Sequence, residues 1–403
     1  MQPPSPRYSG YRSFEYLEAG RDYQEFKLAP EVGRVPAYQL DLTEAQRRRA
    51  ERLLADSIVI SLHEHPTVFP DDITETFDLI RTGRHRTGYQ GLARSGLTAV
   101  FDNFMDGTSC ITSQAGWKWD DTVYDLGHRF ADIAHQDFVF RAGSLADIRW
   151  AHETGRLALV PGLEAATPIE NEVDRIDVLY GLGVRQMGIA YSEANALGSG
   201  LRERGDGGLT AFGERAVRRM NQLGIAIDVS HSGDQTCLDV IQASSAPVLV
   251  THAGARAVWD TRRMKPDSVI RACAERGGII GIEAAPHTTL SAGHPHHGLD
   301  SVMDHFTYCV DLVGVEHVTF GPDTLFGDHV GLHEAFAEHL SISQARGDLE
   351  FPRVPYVDGL ENPAECFGNI IGWLVAHDWS DDEVRAVVGG NTLRVLEQVW
   401  HGA

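Results

Sequence analysis

The amino-acid sequence predicts an α/β protein built on a (β/α)8 barrel of the TIM type, and three observations carry this prediction. Short apolar runs rich in β-branched residues recur along the chain. Each run is almost continuously hydrophobic, as parallel strands buried on both faces are. Helical patterns fill most of the gaps between the runs. Eight such runs in alternation with helices favour a closed barrel over an open doubly wound sheet.

The predicted strands lie between residues 57 and 323. Their ranges are 57–63, 97–101, 157–164, 184–191, 225–231, 247–252, 278–283 and 317–323. The clearest helical patterns are 211–223, 267–276 and 299–313. A long segment, 102–156, separates the second strand from the third, and its Trp117 and Trp119 could line a pocket or pack on the barrel.

The two ends of the chain differ in character from the barrel. Residues 1–45 are aromatic and charged without clear periodicity, which predicts an N-terminal extension, whereas 46–403 is predicted to be a single domain. Thr43 is expected to cap a helix over 42–55. A capping box that begins at Ser380 and a last helix over 391–400 predict a C-terminal helical appendage to the barrel.

Charge and cysteine content exclude several classes of function. The formal net charge of −22 over 403 residues argues against binding to nucleic acid or to an anionic membrane surface. The five cysteines are scattered and form no C-x-x-C pair, which suits a reducing compartment. No apolar run reaches the roughly 18 residues of a membrane span, and the start of the chain lacks the apolar region of a secretory signal. We therefore expect a cytoplasmic protein without a nucleic-acid or membrane partner.

Side chains that commonly bind metals end five of the eight predicted strands. They are His63 and His65, Glu164, His231, His252 and Asp323. Residues two apart on a strand point to the same side, so the first two imidazoles can face one ion. The carboxyl ends of the strands of a barrel meet at one end. We therefore expect all six side chains to meet there and to bind zinc or a similar divalent ion.

The ligand types also predict a chemistry. Glu164 lies between two histidine pairs and is expected to bridge two ions. Two ions a few ångströms apart would share a water, lower its pKa and polarise a carbonyl group. Asp323 is then expected to accept the proton of that water rather than to bind metal tightly. A second group of histidines follows the seventh strand and could form an accessory site, although a polar loop is the favoured interpretation: His287, His294, His296 and His297.

From about residue 57 to residue 400 the chain resembles the membrane dipeptidase (renal dipeptidase) family of metal-dependent barrel hydrolases. Among the stretches that carry the resemblance are Gly162-Leu-Glu-Ala, Asp228-Val-Ser-His231, Thr251-His252, Gly359-Leu-Glu-Asn-Pro363 and Gly389-Gly-Asn-Thr-Leu-Arg394. The resemblance implies that His63 binds a first zinc, that Glu164 bridges, and that His231 and His252 bind a second zinc. It also implies that Arg263 grips a substrate carboxylate, that Asp323 is the acid/base residue, and that the protein is a homodimer.

The chain departs from the family pattern at four places near the expected chemistry. The family's His-x-Asp is His63-Glu-His65, which makes the predicted metal cluster more positive by about one charge. The family's histidine after strand four is Tyr191, which can still donate a hydrogen bond to a substrate carbonyl. Its Asp-Phe-Asp-Gly becomes Asp323-Thr-Leu-Phe-Gly, and its Arg-Asn becomes Arg263-Met264. These changes predict a more apolar pocket beside the metals.

Together these observations predict a hydrolase with two zinc ions per chain that cleaves an amide bond in a small, carboxylate-bearing substrate. We expect weak activity on simple dipeptides and a preference for bulky or aromatic acyl groups. Hydrolysis of a non-peptide amide, ester or lactone is the alternative. A metal-assisted decarboxylase and a catalytically inert binding barrel are less favoured.

Overall fold

The computed structural model describes residues 7–104, 118–336 and 350–400, and it contains a barrel of eight parallel strands. The barrel strands are β1 (Ile60–Val68), β3 (Ala99–Asn103), β5 (Leu157–Leu163), β6 (Gln186–Gly188), β7 (Ala226–Asp228), β8 (Leu249–Ala253), β9 (Ile279–Ile282) and β10 (Val318–Phe320). The order of hydrogen-bonded neighbours follows the chain from β1 to β10. All eight predicted strands are therefore present, as parallel neighbours.

The sheet closes between its last strand and its first. The backbone N–H of Asp323 donates to the carbonyl of His63 at 3.0 Å, and that of His65 donates to the carbonyl of Thr324 at 2.9 Å. Strand β11 (Leu325–Phe326) then pairs in parallel with the outer half of β1. The chain that follows β10 thus completes the barrel along β1, at the end where the predicted ligands lie.

Three short strands were not predicted. β2 (Arg86–Thr87) pairs antiparallel with the end of β1, β4 (Val139–Arg141) pairs with the first half of β5, and β11 pairs with β1 as described above. They extend the barrel rather than form a second sheet.

Helices connect the strands and cover the outside of the barrel. Their ranges are Glu44–Asp56, Thr76–Thr82, Tyr89–Arg94, Trp119–Ile133, Leu145–Thr154, Arg175–Leu182, Ala211–Leu223, Asp234–Ala243, Asp267–Glu275, Leu299–Val313, His329–Phe336, Pro363–Ala376, Asp381–Arg385 and Asn391–Val399. Thr43 caps the first of these and forms a capping box with Gln46, while Ser380 and Glu383 form the box predicted near the C-terminus.

The interior of the barrel is filled from its amino-terminal end. Alternate strand residues such as Leu62 and Phe101 belong to one buried apolar cluster with Leu396 and Trp400. The indole of Trp400 lies 6.2 Å from the ring of Phe101, and its N–H donates to the carbonyl of Arg185, directly before β6. The C-terminal helix is therefore packed into the barrel's own core, and it leaves the opposite end for the polar side chains.

The N-terminal segment is attached to the barrel by one buried carboxylate. Asp132, on the helix that precedes β4, accepts hydrogen bonds from the hydroxyls of Tyr11, Ser13 and Tyr89 and from the backbone N–H of Phe14. Because a buried carboxylate needs several donors, this arrangement fixes the segment on the barrel surface.

Among the residues that the structure describes, no helix is both long enough and apolar enough to cross a membrane.

Candidate metal centre

Histidine and carboxylate side chains from β1 and the turn after β10 meet above the barrel. The Nε2 atoms of His63 and His65 lie 3.3 Å apart. Oδ1 of Asp323 lies 3.4 Å from the first of these atoms and 3.3 Å from the second. The spacing of two residues on β1 therefore brings both imidazoles to one point, as predicted.

A second group of side chains comes from the turn after β7 and from β8. One glutamate lies between this group and the first. The Nε2 atoms of His231 and His252 lie 2.9 Å apart. Oε1 of Glu164 lies 2.9 Å from His231, 3.4 Å from His252 and 3.8 Å from His63. Glu164 thus lies between the two histidine pairs, which is the arrangement that a bridging carboxylate requires.

Gly188 allows Glu164 to take this position. A Cβ atom on Gly188 would lie 1.8 Å from the backbone carbonyl oxygen of Glu164. Any larger residue at the end of β6 would therefore push the glutamate out of the cluster.

In both His65 and His252, Nδ1 contacts a supporting group and Nε2 faces the cluster. Nδ1 of His65 lies 3.2 Å from the backbone carbonyl of Asn103, and Nδ1 of His252 lies 2.8 Å from the hydroxyl of Thr251. That hydroxyl donates to Asp228 at 2.7 Å, so it accepts from the imidazole. Each ring then carries its proton on Nδ1 and directs the lone pair of Nε2 at the cluster, as a metal ligand must.

His63 also carries its proton on Nδ1 if the side-chain amide of Asn103 is rotated by about 180°. As assigned, the Asn103 Nδ2 group lies 2.8 Å from Nδ1 of His63, while its Oδ1 and the Oε1 of Gln186 have no hydrogen-bond partner among the described residues. Oxygen and nitrogen of an amide are assigned from hydrogen bonding. Exchanging them lets Oδ1 accept from Nδ1–H and frees Nε2 for a metal.

His231 is oriented differently from the other three histidines. Its Nδ1 is buried without a hydrogen-bond partner in the described part of the chain. The ring instead stacks on the half-buried Tyr191, with centroids 4.0 Å apart and planes at 20°. The aromatic ring at this position therefore packs against a predicted metal ligand; a hydrogen bond from its hydroxyl to a substrate stays a prediction.

Burial controls the charges of the cluster. It lowers the pKa of His63, and it lowers those of His231 and His252 well below the usual value, so these imidazoles are neutral. Burial also raises the pKa of Glu164 to about 8. Divalent ions bind neutral imidazoles and ionised carboxylates. A nearby cation would stabilise the ionised form of the buried glutamate.

Asp323 combines an unusual backbone with a strongly acidic side chain. Its φ of 59° lies in the left-handed region, which costs free energy for a residue other than glycine. Burial alone would raise its pKa, but the nearby imidazoles of His63, His65 and His252 keep that pKa well below the usual value. Oδ1 lies close enough to both imidazoles to share an ion with them, besides being placed to accept a proton.

These atoms fit a metal cluster. Three sets of ligand atoms lie within 4.8 Å of one another: those of His63, His65 and Glu164, those of His63, His252 and Asp323, and those of Glu164, His231 and His252. Zinc and related ions bind imidazole and carboxylate groups at such spacing. Glu164 belongs to two of these sets, one with His63 and His65 and one with His231 and His252.

Arg263 lies behind the second histidine pair, but its charge is paired. Its Nη2 donates to the carbonyl of His252 at 3.1 Å and to Oε2 of Glu283, the residue after β9. Burial raises the pKa of Glu283 to about 7, although Arg263 opposes that shift. The predicted contact of Arg263 with a substrate carboxylate stays a prediction.

Three of the four loop histidines after β9 are engaged in the structure of the loop, and His296 is exposed. Nδ1 of His294 lies 2.7 Å from Asp304, Nδ1 of His297 accepts from the backbone N–H of His287, and Nε2 of His287 accepts from that of Val354. They are not among the groups of potential ligands that converge within the described ranges. Of the two tryptophans, Trp117 lies outside the described residues, whereas Trp119 begins a helix and packs against the core.

Sequence reasoning missed the residues that support the ligands. Asn103, Thr251, Asp228 and Glu283 all lie at the carboxyl ends of predicted strands or beside a ligand. Glu283 carried a usable signal, because it is the acidic last residue of the predicted strand 278–283.

Comparison with known proteins agrees with this geometry. The sequence profile of the family described as membrane dipeptidase (Peptidase family M19) matches residues 47–336. A dipeptidase from Aspergillus oryzae, aclJ, is 30% identical over 69% of this chain and 60% of its own length, and human dipeptidase 3 is 28% identical over 68% and 51%. The chain therefore matches only about half to three-fifths of the length of these relatives.

Solved structures resemble the chain over a larger share. A crystal structure of an amidohydrolase from Pseudomonas aeruginosa superposes with a TM-score of 0.70 at 26% identity, over 87% of this chain and 99% of that one. The probable dipeptidase PvdM from the same organism gives 0.69 at 20% identity, over 90% and 100%, and supports the fold alone. With its barrel, its cluster of potential metal ligands and a family match over most of its length, this chain belongs to the membrane dipeptidase family of metal-dependent hydrolases.

Proposed function

We propose that this protein hydrolyses an amide bond in a small substrate and that it uses two zinc ions per chain. One observation carries the proposal: Oε1 of Glu164 lies within 3.8 Å of the Nε2 atoms of His63 on β1, His231 in the turn after β7 and His252 on β8. When bound there, two divalent ions would lower the pKa of a shared water and polarise a carbonyl group.

The residues of the chain then have defined tasks. Glu164 joins the two sites, and His63 and His65 on one side and His231 and His252 on the other hold one ion each. Asp323 accepts the proton of the attacking water through Oδ1 and passes it to the leaving nitrogen. The position of Oδ1, 3.4 Å from Nε2 of His63 and 3.3 Å from Nε2 of His65, supports the first task because it lies next to the proposed ions.

The substrate is proposed to be dipeptide-like and to carry a carboxylate that approaches Arg263. The position of that guanidinium beside the backbone of His252 supports this direction of binding. The ring of Tyr191, stacked on His231, would give the pocket an aromatic surface next to the second ion. This supports a preference for bulky or aromatic acyl groups over small ones. A cytoplasmic location and a homodimer, both expected from the sequence, stay predictions.

A substrate panel tests the proposal. The zinc-loaded protein is assayed for kcat/KM with glycyl and alanyl dipeptides, with N-acyl amino acids that carry aromatic acyl groups, and with ester and lactone counterparts. We expect the aromatic N-acyl amino acids to be the best substrates and a chelator to abolish their hydrolysis. A simple dipeptide cleaved at about 10⁵ M⁻¹s⁻¹ or faster, within the ordinary enzyme range, contradicts the proposed specificity. Best activity on esters or lactones supports the alternative named from the sequence.

A further inference from the structure

A carboxylate of the protein itself already occupies the guanidinium expected to bind substrate. Arg263 and Glu283 form an ion pair whose side chains are 7% and 0% exposed. The nitrogen that makes this pair, Nη2, also donates to the carbonyl of His252. A planar guanidinium binds a carboxylate best with two parallel N–H groups. In Arg263 both contacts use Nη2, so that this nitrogen is engaged before any substrate arrives, whereas Nη1 has no hydrogen-bond partner among the described residues.

Strand pairing keeps Glu283 in this place. Its backbone N–H donates to the carbonyl of Ala253 at 3.0 Å, and Ala253 of β8 pairs with Ile282 of β9. Glu283 is thus held beside the residue that follows the ligand His252. The carboxylate of the pair therefore comes from the barrel rim, whereas Arg263 lies in the loop between β8 and the next helix.

We propose that Glu283 is a specificity-determining residue that competes with a substrate carboxylate for Arg263. The inference rests on the proposed function, because it concerns the same pocket. A second carboxylate brought to Arg263 meets the negative charge of Glu283, and like charges at one buried site disfavour each other strongly. The free carboxylate of a substrate then contributes little to binding, so that discrimination between substrates depends on the acyl portion.

The test compares two ligands that differ only in the group that approaches Arg263. They are phosphinate analogues of a dipeptide, one with a free carboxylate and one with a carboxamide, and neither is hydrolysed. Their dissociation constants are measured by calorimetry on the zinc-loaded protein at pH 8. The native chain should bind both within about threefold. Glu283→Gln should bind the carboxylate roughly ten- to a hundredfold more tightly and leave the carboxamide unchanged, since a charge-assisted hydrogen bond contributes this much.

Two further variants serve as controls. Glu361→Gln removes another buried carboxylate that is paired with an arginine, Arg34, and should leave the ratio as in the native chain. Glu283→Gln leaves the charge of Arg263 without compensation and could prevent folding. The double variant Arg263→Met, Glu283→Met removes both charges and should bind both ligands as the native chain does, within about threefold.

The outcomes separate this inference from the proposed function. An unchanged ratio in folded Glu283→Gln overturns it, as does a selective tenfold loss of carboxylate affinity in the double variant, because Arg263 would then bind carboxylate despite Glu283. Failure of both ligands to bind the native chain at full zinc content would instead count against the proposed hydrolase site.

Discussion

Three of the predicted histidine ligands are oriented by a contact on the side that faces away from the cluster. His65 and His252 use a backbone carbonyl and a threonine hydroxyl, whereas His231 uses the face of Tyr191. Such supporting contacts commonly change metal affinity by 10- to 100-fold when they are lost. The chemistry at the residue scale therefore depends on neighbours as well as on ligands.

Asp323→Asn separates proton transfer from metal binding. An amide has nearly the same shape but cannot accept the proton of the attacking water. We expect kcat to fall by roughly 10²- to 10⁴-fold, the usual contribution of a general acid–base residue, with the zinc content almost unchanged. Steady-state kinetics and elemental analysis of the same sample measure both quantities. A parallel loss of zinc would show that Asp323 acts first as a ligand, which its distances to His63 and His65 allow.

Tyr191 can be tested with a pair of variants. Tyr191→Phe retains the ring that stacks on His231, and Tyr191→Leu removes it. If stacking orients this ligand, the leucine variant should bind its second zinc roughly tenfold more weakly, whereas the phenylalanine variant should bind as the native chain does. Competition with a chromogenic chelator measures the affinity. A fall of kcat in the phenylalanine variant at full zinc content would instead support a hydrogen bond from the hydroxyl to the substrate.

At the scale of elements, the sequence predicted every barrel strand but not where each one ends. His231 and Asp323 were expected on strand ends, yet β7 and β10 end three residues before them. Tyr191 likewise follows β6 by three residues. Hydrophobic runs continue into these turns because the turns are buried too, so periodicity alone cannot locate the last ladder hydrogen bond. The predicted ligands still lie close together, because the turns remain at the same end of the barrel.

The contacts of these elements could not be predicted in the same way. The pairing of Arg263 with Glu283 depends on the register of β8 against β9 and on a rotamer, neither of which has a local signal in the sequence. The support of His63 by Asn103 joins residues 40 positions apart. The residue types at the strand ends predicted the candidate ligands. The contacts that orient these side chains are visible only in the folded barrel.

The loop before the helix that begins at Pro363 contains a buried acid with a testable pH dependence. Burial raises the pKa of Glu361 to about 7, although the N–H of Val357 and Arg34 oppose the shift. A raised pKa in the folded state means that stability is greatest below the unfolded value of about 4.3 and is lost as the pH rises through 7. The loss over this whole range amounts to at most about 4 kcal/mol.

Denaturant unfolding at pH 5 and pH 8 measures this loss. Glu361→Gln cannot ionise, so its free energy of unfolding should change less between the two pH values than that of the native chain. Glu44→Gln, on the exposed face of the first helix, serves as the control and should keep the native change. Equal pH dependence in Glu361→Gln and the native chain would show that Glu361 is not the group responsible.

At the scale of the whole molecule, the barrel separates stability from chemistry. Its amino-terminal end is filled by the C-terminal helix and Trp400, and its carboxyl end gathers the polar side chains. The closing hydrogen bonds between β1 and the turn after β10 also place His63 and Asp323 side by side. The contacts that close the barrel therefore also bring the side chains of the centre together.

The central claim is that Glu164 bridges two ions, and counting the ions tests it most directly. Metal content per chain is measured by elemental analysis after dialysis against limiting zinc, for the native chain and for folded Glu164→Gln. Two ions are expected in the native chain. The variant should hold one ion or fewer and show no turnover, because a neutral amide cannot bridge two cations. A native chain that binds at most one ion, or a variant that retains two ions and full activity, would contradict the account.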